Sequence, residues 1–346
     1  MWVFFLKIVK IFVTGSCGYV GSVLTNMLID QNYDVTGCDV GYYPQNLTLE
    51  KHSKEILLQK DIRNITKEDL IGYDAVLHLA ALSNDPLGEI NSSLTNEINF
   101  KATIRLAKLS KEAGVEKFIF SSSCSSYGSN DDIVDENSKL APITAYAISK
   151  VDSERELLKL KDKKFIPVNL RSATAYGISS NLRLDLVVNN LTCSAFTTGA
   201  VRLLSDGTSW RPLVHVEDMS NAFIQVLKSS SEKISGETFN VGANEDNYKV
   251  YQIAELVESI VPNSKIEYSK NGNKDSRSYQ VNFDKIKNEI GYKTKWNLKD
   301  GIKNIYETFK NKKITAKDFT DKKFYRVKYI KWLIEQKKLD LNLFLK

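Results

Sequence analysis

The run Ile8-Val9-Lys10-Ile11-Phe12-Val13-Thr14 gives way to three glycines, Gly15, Gly18 and Gly21, at a spacing of three. Near-unbroken apolar and β-branched character reads as a strand buried on both faces, the kind found in parallel sheets. Beyond the glycines, Val20, Val23, Leu24, Met27 and Leu28 recur at helical spacing. Strand, glycine turn and helix in that order leave backbone N–H groups and a helix N-terminus open to a pyrophosphate. The next strand, starting at Tyr33, closes on Asp39. An acid roughly 20 residues past such a turn accepts a ribose diol and repels a 2′-phosphate, which favours NAD over NADP.

The alternation continues. Strands are expected at 55–59, 74–81, 116–120 and 165–171, with helices at about 94–113 and around Tyr146 and Lys150. Repeated βα units predict an α/β fold, a Rossmann-type doubly wound parallel sheet with right-handed crossovers. Gly15, Asp39, Ala80, Ser123 and Arg171 fall at strand carboxyl ends and should share one rim, where such sheets bind ligands. The second half is mixed, with helices expected at about 182–199, 219–228, 250–261 and 299–310 and short strands at 201–204, 238–242 and 265–268. The expected division is therefore an NAD-binding domain over 8–175, with returning segments at about 212–242. Residues 176–211 and 243–314 form a smaller mixed α/β substrate domain, and 315–346 a basic helical tail. In that tail Phe324, Val327, Ile330 and Ile334 line up at 3–4 spacing among Lys322, Lys323, Arg326, Lys328 and Lys331. Such a stripe predicts docking on the chain's own core or on a subunit partner rather than on a membrane surface.

Composition excludes several classes. The net charge is +6, but the lysines are spread widely, which does not describe a nucleic-acid groove. Cys17, Cys38, Cys124 and Cys193 show no close pair, and His52, His78 and His215 no ligand spacing. No metal and a reduced, cytoplasmic setting are expected. The apolar start, Met1-Trp2-Val3-Phe4-Phe5-Leu6, is too short to span a bilayer and no small-residue cleavage site follows it, so it reads as an N-terminal extension.

Tyr146-Ala147-Ile148-Ser149-Lys150 places a phenol and an ammonium four residues apart on one helix face. A free tyrosine, with a pKa of roughly 10, is a poor base at neutral pH. A nearby ammonium should lower that pKa, and Ser123, at the end of the preceding strand, is placed to pass a proton from a substrate hydroxyl to Tyr146.

Taken together, Thr14-Gly15-x-x-Gly18-x-x-Gly21, Asp61-Ile62, Leu79-Ala80-Ala81, Asn99, Ser121-Ser122-Ser123 and Tyr146-x-x-x-Lys150 resemble the extended short-chain dehydrogenase/reductase superfamily. Within it the chain is most similar to the NAD-dependent nucleotide-sugar epimerase/dehydratase family, in its UDP-galactose 4-epimerase-like form. The resemblance covers about 8–310. It implies that Gly15, Gly18, Tyr19, Val20 and Gly21 line the pyrophosphate, Asp39 the adenosine ribose, and Asp61 and Ile62 the adenine. Leu79, Ala80, Ala81, Asn99 and Ser121 border the rest of NAD. Ser123, Tyr146 and Lys150 are implied as the catalytic set, and Lys150 also bonds the nicotinamide ribose. On the substrate side it implies Ser123, Thr174, Asn190, Leu191, Arg211 and Arg277, the two arginines clamping a nucleotide diphosphate.

Departures from the family narrow the reaction. Relatives that dehydrate the sugar carry an Asp-Glu pair directly after the catalytic hydroxyl residue; here Cys124 and Ser125 stand there. Decarboxylating relatives keep a Glu at the place of Ser125. Relatives that epimerise at C3 and C5 use a cysteine at that same place, one residue off Cys124, so Cys124 reads as a small packed residue. The expectation is epimerisation at C4 through a transient keto-sugar, with hydride passing to and from NAD. A nucleotide-sugar 4-dehydrogenase or ketoreductase is the alternative, and a non-catalytic dinucleotide sensor a third reading. Relatives also imply a homodimer paired through helices at about 94–113 and 145–160.

Overall fold

The computed structural model describes residues 9–47, 49, 56–269 and 278–346. The apolar start Met1–Leu6 and Arg277 lie outside the described residues. Seven parallel strands form the central sheet: β1 (Lys10–Thr14), β2 (Asp34–Asp39), β3 (Ile56–Gln59), β4 (Ala75–His78), β5 (Lys117–Ser123), β6 (Ile166–Ser172) and β7 (Thr238–Val241). Their order is β7-β6-β5-β4-β1-β2-β3. The longer helices are α1 (Tyr19–Asp30), α2 (Ala102–Glu112), α3 (Ala145–Lys159), α4 (Val187–Thr198), α5 (Val216–Lys228), α6 (Val250–Ile260), α7 (Leu298–Asn311) and α8 (Arg326–Glu335).

Burial explains the layering. Ile11, Phe12 and Val13 of β1 are each fully buried. Ile11 and Val13 face Leu24 and Leu28 of α1 and Ala222, Phe223 and Val226 of α5. Phe12 faces the other layer, with Val76, Leu106, Phe118 and Leu157. A sheet covered on both faces is what the continuous apolar strands require. Chain progression reverses between β1 and β4, which pair from Ile11↔Ala75 to Thr14↔His78. That reversal opens a crevice beyond the strand ends, the usual ligand position in such sheets.

The expected single helix over about 94–113 is interrupted. A π-helical stretch, Asn96–Lys101, separates a short turn at Ser92–Thr95 from α2. Widened turns of this kind re-aim side chains, and here Asn99 Oδ1 accepts from Leu82 N at 2.8 Å while its Nδ2 donates to Leu82 O at 3.1 Å.

The second lobe packs α4, α6 and α7 around Val188, Leu191, Ile253, Val257, Ile302, Ile305 and Phe309. Two small sheets edge it: Ala200–Leu203 beside Lys265–Tyr268, and Trp210–His215 between Thr174–Tyr176 and Asn247–Lys249. Helix α4 starts at Val187, not near Leu182 as the apolar spacing predicts. Leu184 N donates to Phe324 O at 2.9 Å, so the stretch ahead of the helix pairs with the tail backbone.

The tail docks on its own chain. Ile330, Leu333, Leu339 and Leu343 are buried against Ile62, Leu82, Leu87, Leu94 and Ile98. Val327 and Ile334 pack there in part, whereas Phe324 belongs to the second lobe's core. Each aliphatic side chain buried this way is worth about 1.5–3 kcal/mol, ample to hold a short helix in place. Among the described residues no helix is long and apolar enough to cross a membrane.

Candidate active site

A cleft of about 870 Å3 runs along the carboxyl ends of the sheet and under the second lobe. Its floor is the glycine turn. Gly15 has φ +72, and a Cβ there would sit 2.8 Å from Ala80 N. A Cβ on Gly21 would lie 1.9 Å from Gly15 O, so only glycine lets the first turn of α1 close on the loop. The result is a tight backbone cradle at a helix N-terminus, the shape and polarity a pyrophosphate needs. Asp39 Oδ2 accepts from Cys17 N at 3.1 Å and Oδ1 from Gly41 N at 2.8 Å, which fixes the carboxylate at the cleft edge. These residues fit a dinucleotide.

Of the sequence-derived positions, Gly15, Gly18, Tyr19, Val20, Gly21, Asp39, Asp61, Ile62, Leu79, Ala80, Ala81, Ser121, Ser123, Tyr146 and Lys150 line this cleft, as do Thr174, Asn190, Leu191 and Arg211. Asp61 arrives with a partner, its carboxylate accepting from Arg63 Nε at 3.0 Å and Nη2 at 2.7 Å. Asn99 stands behind the wall and grips the backbone of Leu82. Arg171, expected on the rim, turns inward instead. Its guanidinium donates to Glu154 through Nε and Nη2, and to Tyr127 Oη through Nη1. Strand alternation alone does not reveal which face of β6 meets a buried acid.

At the catalytic end, Tyr146 lies against the cleft, which Ser123 also lines. Lys150, almost fully buried, donates to Ser121 O at 2.7 Å. Its Nζ sits 5.6 Å from the Tyr146 ring centre and 4.6 Å from that of Phe120. The charge effects differ from the expectation for a free pair. Burial, then the Asp85 carboxylate, push Tyr146 up to about 12, and the neighbouring Ser123 hydroxyl offsets only part of this. Burial brings Lys150 down to about 7, against the pull of Glu154. In both groups desolvation is the largest cause, because burial disfavours the charged form of each. Cys124 is buried and its thiol donates to Arg171 O at 3.1 Å, and burial raises its pKa. Ser125 Oγ donates to Ser123 Oγ at 3.0 Å.

Sequence reasoning missed a polar group across the cleft. Arg183 Nε and Nη2 donate to the Asp185 carboxylate at 2.9 and 3.1 Å, and Asn84 Nδ2 donates to the same carboxylate at 3.1 Å. Both lie in the stretch that read as the first turns of α4. The apolar neighbours Leu182, Leu184 and Leu186 hid them. Among the described residues no cluster of His, Cys, Asp and Glu has the makings of a metal site.

A doubly wound parallel sheet with this cradle and acid defines an NAD-binding Rossmann-type enzyme. Residues 11–242 match the model of the NAD dependent epimerase/dehydratase family, and the chain belongs to that family. It is 29% identical over 315 residues to a Bacillus subtilis (strain 168) protein described as an uncharacterized UDP-glucose epimerase, covering 85% of this chain and 96% of the relative. The solved UDP-glucose 4-epimerase of Thermotoga maritima, bound to UDP-glucose, superposes with a TM-score of 0.77 at 25% identity. The UDP-glucuronic acid 4-epimerase of Bacillus cereus, with UDP-glucuronic acid and NAD, gives 0.76 at 25%. In both cases 87% of this chain covers 99% of the other.

Proposed function

We propose that this enzyme is a nucleotide-sugar 4-epimerase, with Ser123, Tyr146 and Lys150 as its catalytic residues. The observation that carries the reading is the joint placement of Ser123, Tyr146 and a buried Lys150 in one cleft, with no acid at the two positions after Ser123. Cys124 faces the protein interior, and Ser125 has no carboxylate with which to eliminate water from a sugar ring. The similarity to a UDP-glucose 4-epimerase and a UDP-glucuronic acid 4-epimerase supports the same reaction class.

In this reading Tyr146 takes the proton of the C4 hydroxyl, relayed by Ser123, as hydride leaves C4. It returns the proton once the keto-sugar has turned over and regained its hydride on the other face. NAD, when bound, supplies the hydride acceptor and donor and a positive ring that favours the phenolate. Lys150 orients Tyr146 and the ribose beside it. Thr174, Asn190 and Leu191 border the sugar-nucleotide half, where Arg211 pairs with the diphosphate. No disulfide joins Cys17, Cys38, Cys124 and Cys193, which suits a cytoplasmic enzyme. Two copies pair through α2 and α3, the latter exposing Ile148 and Leu158; light scattering at working concentration tests this, and a monomer contradicts it.

The test is turnover of a panel of UDP-hexoses by the wild type and by Tyr146→Phe. Conversion of a substrate to its C4 epimer by the wild type, reduced about 100- to 10,000-fold in the variant with NAD still bound, is expected. Net release of reduced cofactor would instead favour a dehydrogenase.

A further inference from the structure

Arg326, the first residue of α8, reaches from the tail into the NAD half of the cleft. It is 2% exposed, yet its Nη1 has no hydrogen-bond partner among the described residues. Its Nη2 makes one bond, to Asn181 O at 3.3 Å. The face of the guanidinium lies on the Tyr43 ring, 4.0 Å from its centre. A buried guanidinium half-satisfied by neutral partners is expensive, and buried charges normally persist only where an opposite charge meets them. The nearby Arg183 adds repulsion and is itself occupied by Asp185. Burial and that repulsion bring Arg326 down to about 10, while Tyr43, Asp185 and Asp39 act against the shift.

Its surroundings name the charge that is wanted. Asn181 Nδ2 donates to Cys17 O at 2.9 Å, inside the glycine turn, and to Tyr43 O at 3.3 Å, just beyond Asp39. Arg326 is therefore linked to the glycine turn through Asn181, lines the same cleft and feels the charge of Asp39. We propose that Arg326 pairs with the pyrophosphate of bound NAD, and that the tail is a strap closing the adenosine side of the cleft over the dinucleotide. The strap is anchored on both sides. Asn46 Nδ2 donates to Lys323 O at 3.1 Å, Leu184 N to Phe324 O at 2.9 Å, and Arg63 Nη1 to Asn342 O at 2.8 Å. The chain is also longer than the solved relatives, since 87% of it covers 99% of them. The inference rests on NAD as cofactor and is independent of the sugar and of the carbon epimerised.

Calorimetric titration of NAD-stripped protein with NAD, ADP-ribose, adenosine and UDP tests this on wild type, Arg326→Gln and Arg326→Lys. Arg326→Gln should weaken NAD and ADP-ribose by about 10- to 100-fold, the range for losing a charge-assisted hydrogen bond. Adenosine and UDP should bind as before, and Arg326→Lys should recover part of the loss. Equal weakening of adenosine and ADP-ribose would make Arg326 a structural residue and overturn the proposal. A loss confined to UDP would assign it to the substrate diphosphate, which also overturns it. Failure of the wild type to bind NAD would refute the cofactor itself. A crystal structure of the wild-type NAD complex decides the matter without a variant: a guanidinium within hydrogen-bond distance of a phosphate oxygen is expected, and one turned away contradicts it.

Discussion

Lys150→Met should make the NAD-stripped protein more stable while destroying its activity. The ammonium is 3% exposed and brought from its ordinary 10.5 to about 7, mainly by burial. That displacement corresponds to a burial cost of up to about 5 kcal/mol on the charged form. Removing the lysine relieves the cost but forfeits its hydrogen bond to Ser121 O, worth about 1.5–3 kcal/mol for a charged donor. The net gain is on the order of 2 kcal/mol, or a few degrees in Tm for a chain of this size. The pH dependence fixes the cause. Below about pH 7 lysine is charged in both folded and unfolded protein, and the cost is fully present. Between about 7 and 10.5 the unfolded chain binds the extra proton, so wild-type stability gains on the variant as pH rises. Differential scanning fluorimetry from pH 6 to 10.5 should show the variant's advantage largest at pH 7 and below, gone by about pH 8.5 and reversed by 10.5, where only the lost hydrogen bond remains. A variant less stable than wild type by the same amount at every pH would refute the burial argument.

Other substitutions test neighbouring parts of the account. Gly21→Ala places a Cβ 1.9 Å from Gly15 O, where ordinary contact begins at 3.4 Å, so loop and helix must separate. A loss of about 1–3 kcal/mol in stability and weaker NAD binding are expected from denaturant titration and calorimetry. Cys124→Ser should leave turnover within about twofold, because the thiol only donates to Arg171 O in the interior and a hydroxyl can do the same. A large loss of kcat with intact folding would return Cys124 to the chemistry.

What the sequence reveals here is what local pattern can carry. The glycine spacing, Asp39 and the four-residue step from Tyr146 to Lys150 are each set within one strand, turn or helix. Periodicity therefore places them on the correct side of their elements. Arg171 failed because its partner, Glu154, lies on a different element, and no pattern within β6 announces a buried acid. The start of α4 failed for a related reason: the irregular stretch before it pairs with Phe324, far along the chain, through Leu184 N. Arg326 reads as one of several basic residues on an amphipathic tail until that tail is folded back across the cleft. The expectation that Lys150 lowers Tyr146 came from spacing alone, which says nothing of the burial that raises Tyr146 and lowers Lys150.

The most direct test of the central claim follows one hydrogen. A nucleotide sugar from the UDP-hexose panel that is turned over would be prepared with deuterium at C4 and incubated with enzyme carrying its own NAD, and the product examined by NMR and mass spectrometry. The account predicts the C4 epimer with deuterium retained at C4 and none in water or in free cofactor. Deuterium in released reduced cofactor, or an epimer that has exchanged its C4 label with solvent, would contradict it.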